Sequence, residues 1–487
     1  MKNILLVSDL GGFPPSLESL SKLANVYVYI PRPSAVTKPY LETINRYAHG
    51  VLKESTAYAS GGYNHPDRVT FTGAQPYSLS DDQMVEAIIR AAMIFDAEGI
   101  IFGGAENMVL SAARAADELG FRSADASAAQ RARSKFSMRE AFRHAGVPSP
   151  AFRPIYDEED LAAAVLELGY PLILKPTYLA CSIGVTLLDG SRDPVEVFRE
   201  VQQSIRANTC DLLLFNEECL FLVEEYMEGC NEDWYDNPNF ADYVSVEGMM
   251  IDGRYYPIAI TDKTPLLSSF TEAAHIVPSV LDAEAQAIIV DACRKANESL
   301  GLRFCPTHTE IKLMKNRQVG IIETAARFGG WNIIPQINDV FGLDLTKAWA
   351  ETLLHGSTSE MPDKLLTYAD KSRCNVRIYL EDDPFTDNRK KYRYFGHERL
   401  DSLLEPDVKV STEVEIPMGT VVSCIPQQNA MSFVSTLDLE APDTWSLSRT
   451  VRNIRRGIKL KVTELESEEA LTDSSKQQGE KVTQLAK

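Results

Sequence analysis

Positive charge is in short supply in this chain of 487 residues: 49 Lys and Arg stand against 69 Asp and Glu, a formal net charge of −20. A phosphate backbone demands a basic patch, and an anionic membrane surface demands basic clusters, so neither nucleic acid nor membrane is an expected partner. No apolar run reaches the roughly 18 residues that a membrane-spanning helix needs. The opening Met1-Lys2-Asn3-Ile4-Leu5-Leu6-Val7-Ser8-Asp9 has too short an apolar part for an export signal and reads as a first buried strand. A cytoplasmic protein is therefore expected. The 8 cysteines (Cys181, Cys210, Cys219, Cys230, Cys293, Cys305, Cys374 and Cys424) form no CxxC pair, and the 7 histidines show no HExxH spacing, which leaves zinc without its usual ligands. In a reducing compartment these thiols are expected to stay free. No GxGxxG occurs, so a dinucleotide is not indicated. Internal repeats are absent too.

What is present is an ordinary globular composition, 44% hydrophobic and 24% charged. At roughly 150 residues per domain, the length suggests about three domains. Through residue 133, apolar strands at 4–7, 26–30 and 99–102 alternate with helical patterns at 16–23, 81–95 and 107–119. That alternation predicts an α/β unit with a doubly wound parallel sheet. Ligands in such sheets sit beyond the carboxyl ends of the strands. Here those ends carry Gly11-Gly12-Phe13-Pro14-Pro15, Pro31-Arg32-Pro33 and Gly103-Gly104-Ala105-Glu106. Residues 134–206 change character, with helices at 135–145 and 158–168, then strands at 171–175 and 185–188 around a small-residue loop. Residues 207–357 open strand-rich and continue with a helix at 283–300, two strands around Lys315-Asn316-Arg317-Gln318, and a helix at 345–354. Residues 358–465 read as a β-rich extension without nameable chemistry. The polar stretch 466–487 reads as a mobile tail or a fraying helix.

The sharpest chemical signal is a pair of glutamates. Segments 309–314 and 319–323 are strand-like and joined by a polar turn. If Lys315 lies opposite Gln318, the ladder brings Glu310 opposite Glu323. Like charges in that position repel. A divalent cation removes the repulsion, and Mg²⁺ suits a site with few carboxylates and room for phosphate oxygens. Lys312 shares their face. The competing readings are an exposed hairpin with scattered charge, or a bulge that shifts the register by one.

Three further elements point the same way. Lys175 ends the apolar run Leu172-Ile173-Leu174, where a buried ammonium needs an anion. The loop after it, through Ser182, Ile183 and Gly184, is small enough for backbone N–H groups to approach phosphates. The strand Phe221-Leu222-Val223-Glu224-Glu225-Tyr226-Met227 turns acidic at its end, as the edge of a purine pocket can, although a core strand meeting solvent reads the same in isolation. Arg327 follows Glu323 by four residues and precedes Gly329, Gly330 and Trp331. It is placed to clamp a carboxylate or phosphate, the glycines to allow close approach, and the tryptophan to wall a pocket. Glu106, Glu272 and His275 carry lower weight, and His308 reads as structural.

In this order, these elements resemble the ATP-grasp superfamily of carboxylate–amine ligases, and within it the L-amino acid ligases. The resemblance rests on the opening Ser8-Asp9-Leu10-Gly11-Gly12-Phe13-Pro14-Pro15, on Ile30-Pro31-Arg32-Pro33, on residues 172–187, on Ile260-Thr261-Asp262-Lys263-Thr264-Pro265 and on residues 307–332. It covers roughly residues 1–357, weakens over the extension and stops at the tail. It implies an ATP-grasp fold divided into a pre-ATP-grasp α/β domain (1–133), a small lid subdomain (134–206), a large subdomain with the metal site (207–357), the β-rich C-terminal extension and the tail. The implied cofactors are ATP and Mg²⁺, with Mn²⁺ as a substitute. Glu310 and Glu323 would hold metal; Lys135 and Lys175 would contact phosphates or the adenine edge; Ser182, Ile183 and Gly184 would cover them. Glu224, Glu225 and Met227 would frame adenine and ribose, with Lys312 nearby. Arg327 would stabilise an acyl phosphate and the tetrahedral intermediate. Trp331, Gly330, Glu106, Glu272 and His275 would line the amino-acid site. Many ATP-grasp enzymes carry Asn two residues after the second metal glutamate; here Ala325 stands there, as in the dipeptide ligases. The expected reaction joins two amino acids through an aminoacyl phosphate, in a homodimer. The alternatives are a ligase using a non-amino-acid acid or a peptide acceptor, and a non-catalytic ATP-binding module.

Overall fold

The computed structural model describes residues 1–8, 15–31, 38–53, 63–65, 68–71, 81–103, 106, 108–208, 221–387, 390–423 and 432–465. Most of the expected ligand loops of the first domain (residues 9–14, 32–33 and 104–105) lie outside this set. So do Cys210, Cys219, Cys424 and residues 466–487.

The N-terminal part is a parallel sheet in the order Gly50–Lys53, Asn25–Ile30, Asn3–Val7, Ile100–Phe102. Ile4, Leu5, Leu6 and Val7 are all buried, the unbroken apolar run typical of a strand covered on both faces. Helices Leu17–Leu23, Asp81–Ile94 and Met108–Glu118 pack onto it. Ser16, expected as the first helical residue, is the N-cap: its hydroxyl accepts the Ser19 N–H at 3.2 Å.

A small antiparallel sheet follows, in the order Phe152–Ile155, Phe221–Glu225, Leu172–Pro176, Thr186–Leu188. Helices Glu158–Leu168 and Pro194–Asn208 enclose a separate core around Leu174, Phe198, Phe221 and Val223. This sheet takes Phe221–Glu225 from beyond residue 206, where the sequence reading divided the chain.

The central sheet has eight strands, in the order Val319–Ala325, Cys305–Leu313, Tyr243–Ile251, Arg254–Lys263, Ala274–Val277, Ser372–Ile378, Ser435–Ala441, Lys409–Glu415, each antiparallel to its neighbours. Three of the eight come from beyond residue 358. The C-terminal region is β-rich as expected, but it continues the central sheet instead of forming an appendage. It adds a three-stranded sheet (Val421–Ser423, Lys391–His397, Leu460–Glu464) and helix Thr444–Gly457. Behind the central sheet lies helix Ala283–Ser299, whose Asn297 donates to Thr309 Oγ1 at 3.0 Å. Thr309 and Glu310 are adjacent on one strand, so Glu310 points to the opposite face.

Candidate active site

Directly opposed residues in antiparallel strands share a face, and so do residues two apart. Glu323 lies opposite Glu310, Glu310 opposite Ser245, and Ser245 opposite Thr261. Lys263, two residues past Thr261, lies opposite His275, and His275 opposite Asn375. Arg377 is two residues further on, its N–H donating to the Ala273 carbonyl at 2.8 Å. Six neighbouring strands thus place a row of polar side chains across one face, from Glu323 to Arg377.

Glu310 and Glu323 meet as expected, by a different route. The Met314 N–H donates to the Gln318 carbonyl at 2.8 Å, so Met314, not Lys315, lies opposite Gln318. Ile311 then pairs with Ile321, and Ile322 is an extra residue before Glu323. That bulge restores the offset. Arg139 donates to the bulged Ile322 carbonyl at 2.7 Å.

Cations flank both glutamates. Lys135 Nζ is 3.1 Å from Glu323 Oε2 and donates to the Leu179 carbonyl at 2.7 Å. Burial works to raise the Glu323 carboxyl, but Lys135 and Lys175 hold it at about 2. His308 bridges Glu247, through Nδ1, and Glu310, with Nε2 at 3.5 Å. Burial works to lower His308, yet these carboxylates raise it to about 9. Two adjacent carboxyl groups form a hard oxygen donor set with positions to spare. That fits Mg²⁺ or Mn²⁺, and lacks the sulfur or nitrogen donors that softer ions select.

Glu224 and Glu225, expected together around adenine and ribose, part company. Glu224 is buried, with Oε2 at 2.7 Å from Lys175 Nζ and Oε1 at 2.8 Å from Arg139 Nε. Burial pulls Lys175 down to about 8 despite Glu224. Glu225 is exposed and accepts the Ala151 N–H at 3.3 Å. Met227 packs its sulfur into the space that a Cβ on Gly320 would need. Beside Tyr226 opens a cleft of about 720 Å³ between the small sheet, at Val185, Thr186 and Leu187, and the central sheet, at Lys312 and Asp242. Lys312 Nζ is 2.8 Å from Asp242 Oδ2.

The loop over this region turns through left-handed conformations at Cys181 (φ 58°), Ser182 (φ 56°) and Gly184 (φ 75°). At Gly184 a Cβ would come within 2.7 Å of Ile205 and 2.8 Å of Pro176. The Ile183 side chain is buried in the small sheet's core, so only its backbone can face a ligand.

Arg327 is paired with Glu106, and both side chains are largely buried. Burial works against the Glu106 carboxylate, but Arg327 and Arg133 keep its pKa below the ordinary value. The Gly329 N–H donates to Glu247 Oε2 at 2.8 Å, and a Cβ there would sit 2.8 Å from both Glu247 Oε1 and His308 Nδ1. At Gly330 a Cβ would meet nothing within 4 Å, so packing does not require its glycine. Trp331 packs edge-on against Phe433, at 5.0 Å between centroids, and carries the Arg377 guanidinium on its face. Glu272 pairs with Lys263; burial raises its carboxyl, while Lys263 and Arg377 hold it at about 2. Burial drives His275 well below the ordinary histidine range, leaving a neutral imidazole. Sequence reasoning missed Arg139, Asp242, Glu247, Lys263 and Arg377 as site residues. Arg139 was within reach, since it lies one helical turn from Lys135.

A model of the ATP-grasp domain matches residues 168–334. Alanine–anticapsin ligase of Bacillus subtilis (strain 168) is 37% identical over 467 residues, covering 94% of this chain and 98% of that protein. Its counterpart in Bacillus amyloliquefaciens is 37% identical over 470 residues, with the same coverage, 94% and 98%. Among solved structures, an L-amino acid ligase from Bacillus licheniformis superimposes with a TM-score of 0.67 at 16% identity, covering 95% of this chain and 98% of that one. The fold is that of the ATP-grasp enzymes, and the protein is a carbon–nitrogen ligase of that class. Within the class, the chain belongs to the alanine–anticapsin ligase family. No described helix is long and apolar enough to cross a membrane.

Proposed function

We propose that this ligase joins two L-amino acids into a dipeptide at the expense of ATP. The donor carboxylate oxygen attacks the γ-phosphorus; an O–P bond forms, the bridge to the β-phosphate breaks, and ADP leaves. The acceptor amine then attacks the acyl carbon; a C–N bond forms, the C–O bond to phosphate breaks, and a proton passes from the amine to solvent. The observation that carries the reading is the polar row on the central sheet, which runs from paired carboxylates to cationic groups.

Two anions meet in the first step, so cations must screen them. Lys135, Lys175 and Lys312 are the side chains assigned to the phosphates, and Arg327 to the oxyanion. Mg²⁺ held by Glu310 and Glu323 would neutralise phosphate charge. The loop at Ser182, Ile183 and Gly184 excludes water from the acyl phosphate, with Glu225 and Met227 at the nucleotide's edge. Glu272 and His275 face the donor's ammonium, Glu106 orients Arg327, and Trp331 with Gly330 bounds the donor pocket. A tryptophan wall supports a small donor such as alanine, glycine or serine, and alanine appears in the relatives' name. A homodimer in the cytoplasm, where ATP is supplied, completes the proposal; the free thiols Cys181, Cys230, Cys293, Cys305 and Cys374 suit that compartment. Antibiotic dipeptide synthesis is the setting we assign.

The test is phosphate release with ATP, Mg²⁺ and all pairs of the twenty L-amino acids, with products weighed by mass spectrometry. Condensed dipeptides from particular pairs are expected. ATP bound without amino-acid-dependent ADP release would overturn the reading in favour of a binding module.

A further inference from the structure

We infer that Arg377 holds the α-carboxylate of the acceptor amino acid, a site on the C-terminal strands that makes them part of the active site. The inference deepens the reaction proposed above and rests on it.

Arg377 is 3% exposed, and among the described residues its Nε and Nη2 have no hydrogen-bond partner. A guanidinium stays charged, and a buried charge without a full set of acceptors is costly. Buried donors left open in this way point to a ligand. The neighbouring His275 Nε2 is also buried and without a partner among the described residues. Both side chains stand on the same sheet face, since His275 lies opposite Asn375 and Arg377 is two residues on. The guanidinium lies over Trp331, the residue assigned to the donor pocket. Cys181 of the covering loop lies within electrostatic reach of both Arg377 and Arg327.

The identity of the ligand follows by accounting for charge. The donor's carboxylate and the acyl phosphate face Arg327, the lysines and the metal carboxylates. The donor's ammonium is assigned to Glu272, which pairs with Lys263 and leaves Arg377 Nε and Nη2 without a hydrogen bond among the described residues. One charged group of the two amino acids has no counter-ion left: the acceptor's carboxylate. A guanidinium fork matches a carboxylate in bidentate geometry, and of the two carboxylates only the acceptor's keeps its charge through both steps.

Hydroxylamine separates the two halves of the reaction, because it traps the acyl phosphate as a hydroxamate and carries no carboxylate. With ATP, Mg²⁺ and the donor, Arg377→Met should lose less of its hydroxamate formation than of its dipeptide synthesis, because hydroxylamine brings no carboxylate to the site. In dipeptide synthesis, Arg377→Met should raise the acceptor's KM about 10- to 100-fold, the worth of a charged hydrogen bond, and the donor's KM by less. Wild type should use the free acceptor about 10- to 100-fold better than its carboxamide, and Arg377→Met should use the two equally. Arg377→Lys should restore part of the preference. An equal loss of hydroxamate and dipeptide in a folded Arg377→Met protein would overturn the inference, as would an undiminished preference for the free acid. If Arg377→Met does not fold, the wild-type comparison of acid and carboxamide decides: equal use overturns it. Wild type forming neither hydroxamate nor dipeptide would instead sink the proposed reaction.

Discussion

Glu224→Ala leaves two cations facing each other in a buried pocket, and the expected result is a loss of stability, joined by a rise in the KM for ATP as far as Lys175 sheds its proton. The carboxylate sits 2.7 Å from Lys175 Nζ and 2.8 Å from Arg139 Nε. Removing one partner of a buried ion pair costs about 3–5 kcal/mol. Lys175 has a way to limit the loss. Its pKa is about 8 with Glu224 in place, so shedding the proton at pH 7 costs about 1.4 kcal/mol, and less once Glu224 is gone. Arg139 has no such route, and keeps the Ile322 carbonyl at 2.7 Å. The expected loss is therefore near the lower bound, about 3 kcal/mol. Denaturant unfolding at pH 7 measures it, with the exposed neighbour as control: Glu225→Ala should stay within about 0.5 kcal/mol of wild type. The pH dependence has a fixed sign. Lys175 titrates in the folded variant even further below its ordinary 10.5. Between those two values the unfolded chain holds a proton that the folded chain lacks, so stability rises with pH. Wild type gains in the same way above about 8, so the variant's deficit should shrink as the pH rises from 7 to about 8 and stay constant beyond. A Glu224→Ala protein as stable as wild type, with only the KM for ATP raised, would refute the buried-network reading and return Glu224 to the nucleotide.

The two adjacent glycines should behave differently. Gly329→Ala forces a methyl within 2.8 Å of Glu247 and His308 and should cost about 1–3 kcal/mol. Gly330→Ala meets open space and should cost under about 0.5 kcal/mol, so any change in turnover there reports a substrate contact; equal unfolding midpoints for the two variants would count against the packing argument. Lys175 is assigned to phosphate, so the KM for ATP should rise as pH climbs through about 8. In Lys175→Arg that limb should vanish, and its persistence would assign it to another group. Glu310→Gln and Glu323→Gln should each raise the Mg²⁺ concentration for half-maximal turnover by at least about tenfold. An unchanged Mg²⁺ titration in either variant would remove that residue from the metal site.

Local chemistry made parts of this molecule legible in advance. Helices Lys135–Ala145 and Glu158–Leu168 match their expected limits because Ser134 and Asp157 cap their N-termini and Gly146 closes the first in a left-handed conformation. Glu310 and Glu323 were legible as a facing pair. The turn register assumed for them was one residue off, and the bulge at Ile322 supplied the compensating residue; hydropathy carries no mark of either. The fate of Glu224 was hidden for a different reason. Its two counter-charges come from residues 139 and 175, and only tertiary packing brings them together. Arg377 was hidden more deeply, because the pairing of Ala274–Val277 with Ser372–Ile378 spans about a hundred residues of chain. The polar row exists only once that ladder is closed.

The ladder between those two strands also determines how such enzymes can be recombined. Four residue pairs, from Ala274 with Val376 to Val277 with Arg373, join the C-terminal strands to the rest of the sheet. A chimaera crossing over between residues 358 and 371 would have to rebuild that seam, and would then carry the donor-side groups of one parent and the acceptor-side strand of the other. A truncation at the same point would instead bare the hydrogen-bonding edge of Ala274–Val277 and invite self-association. Acceptor choice would be exchanged as a rigid strand, by side-chain identity, and not by altering the length of a loop.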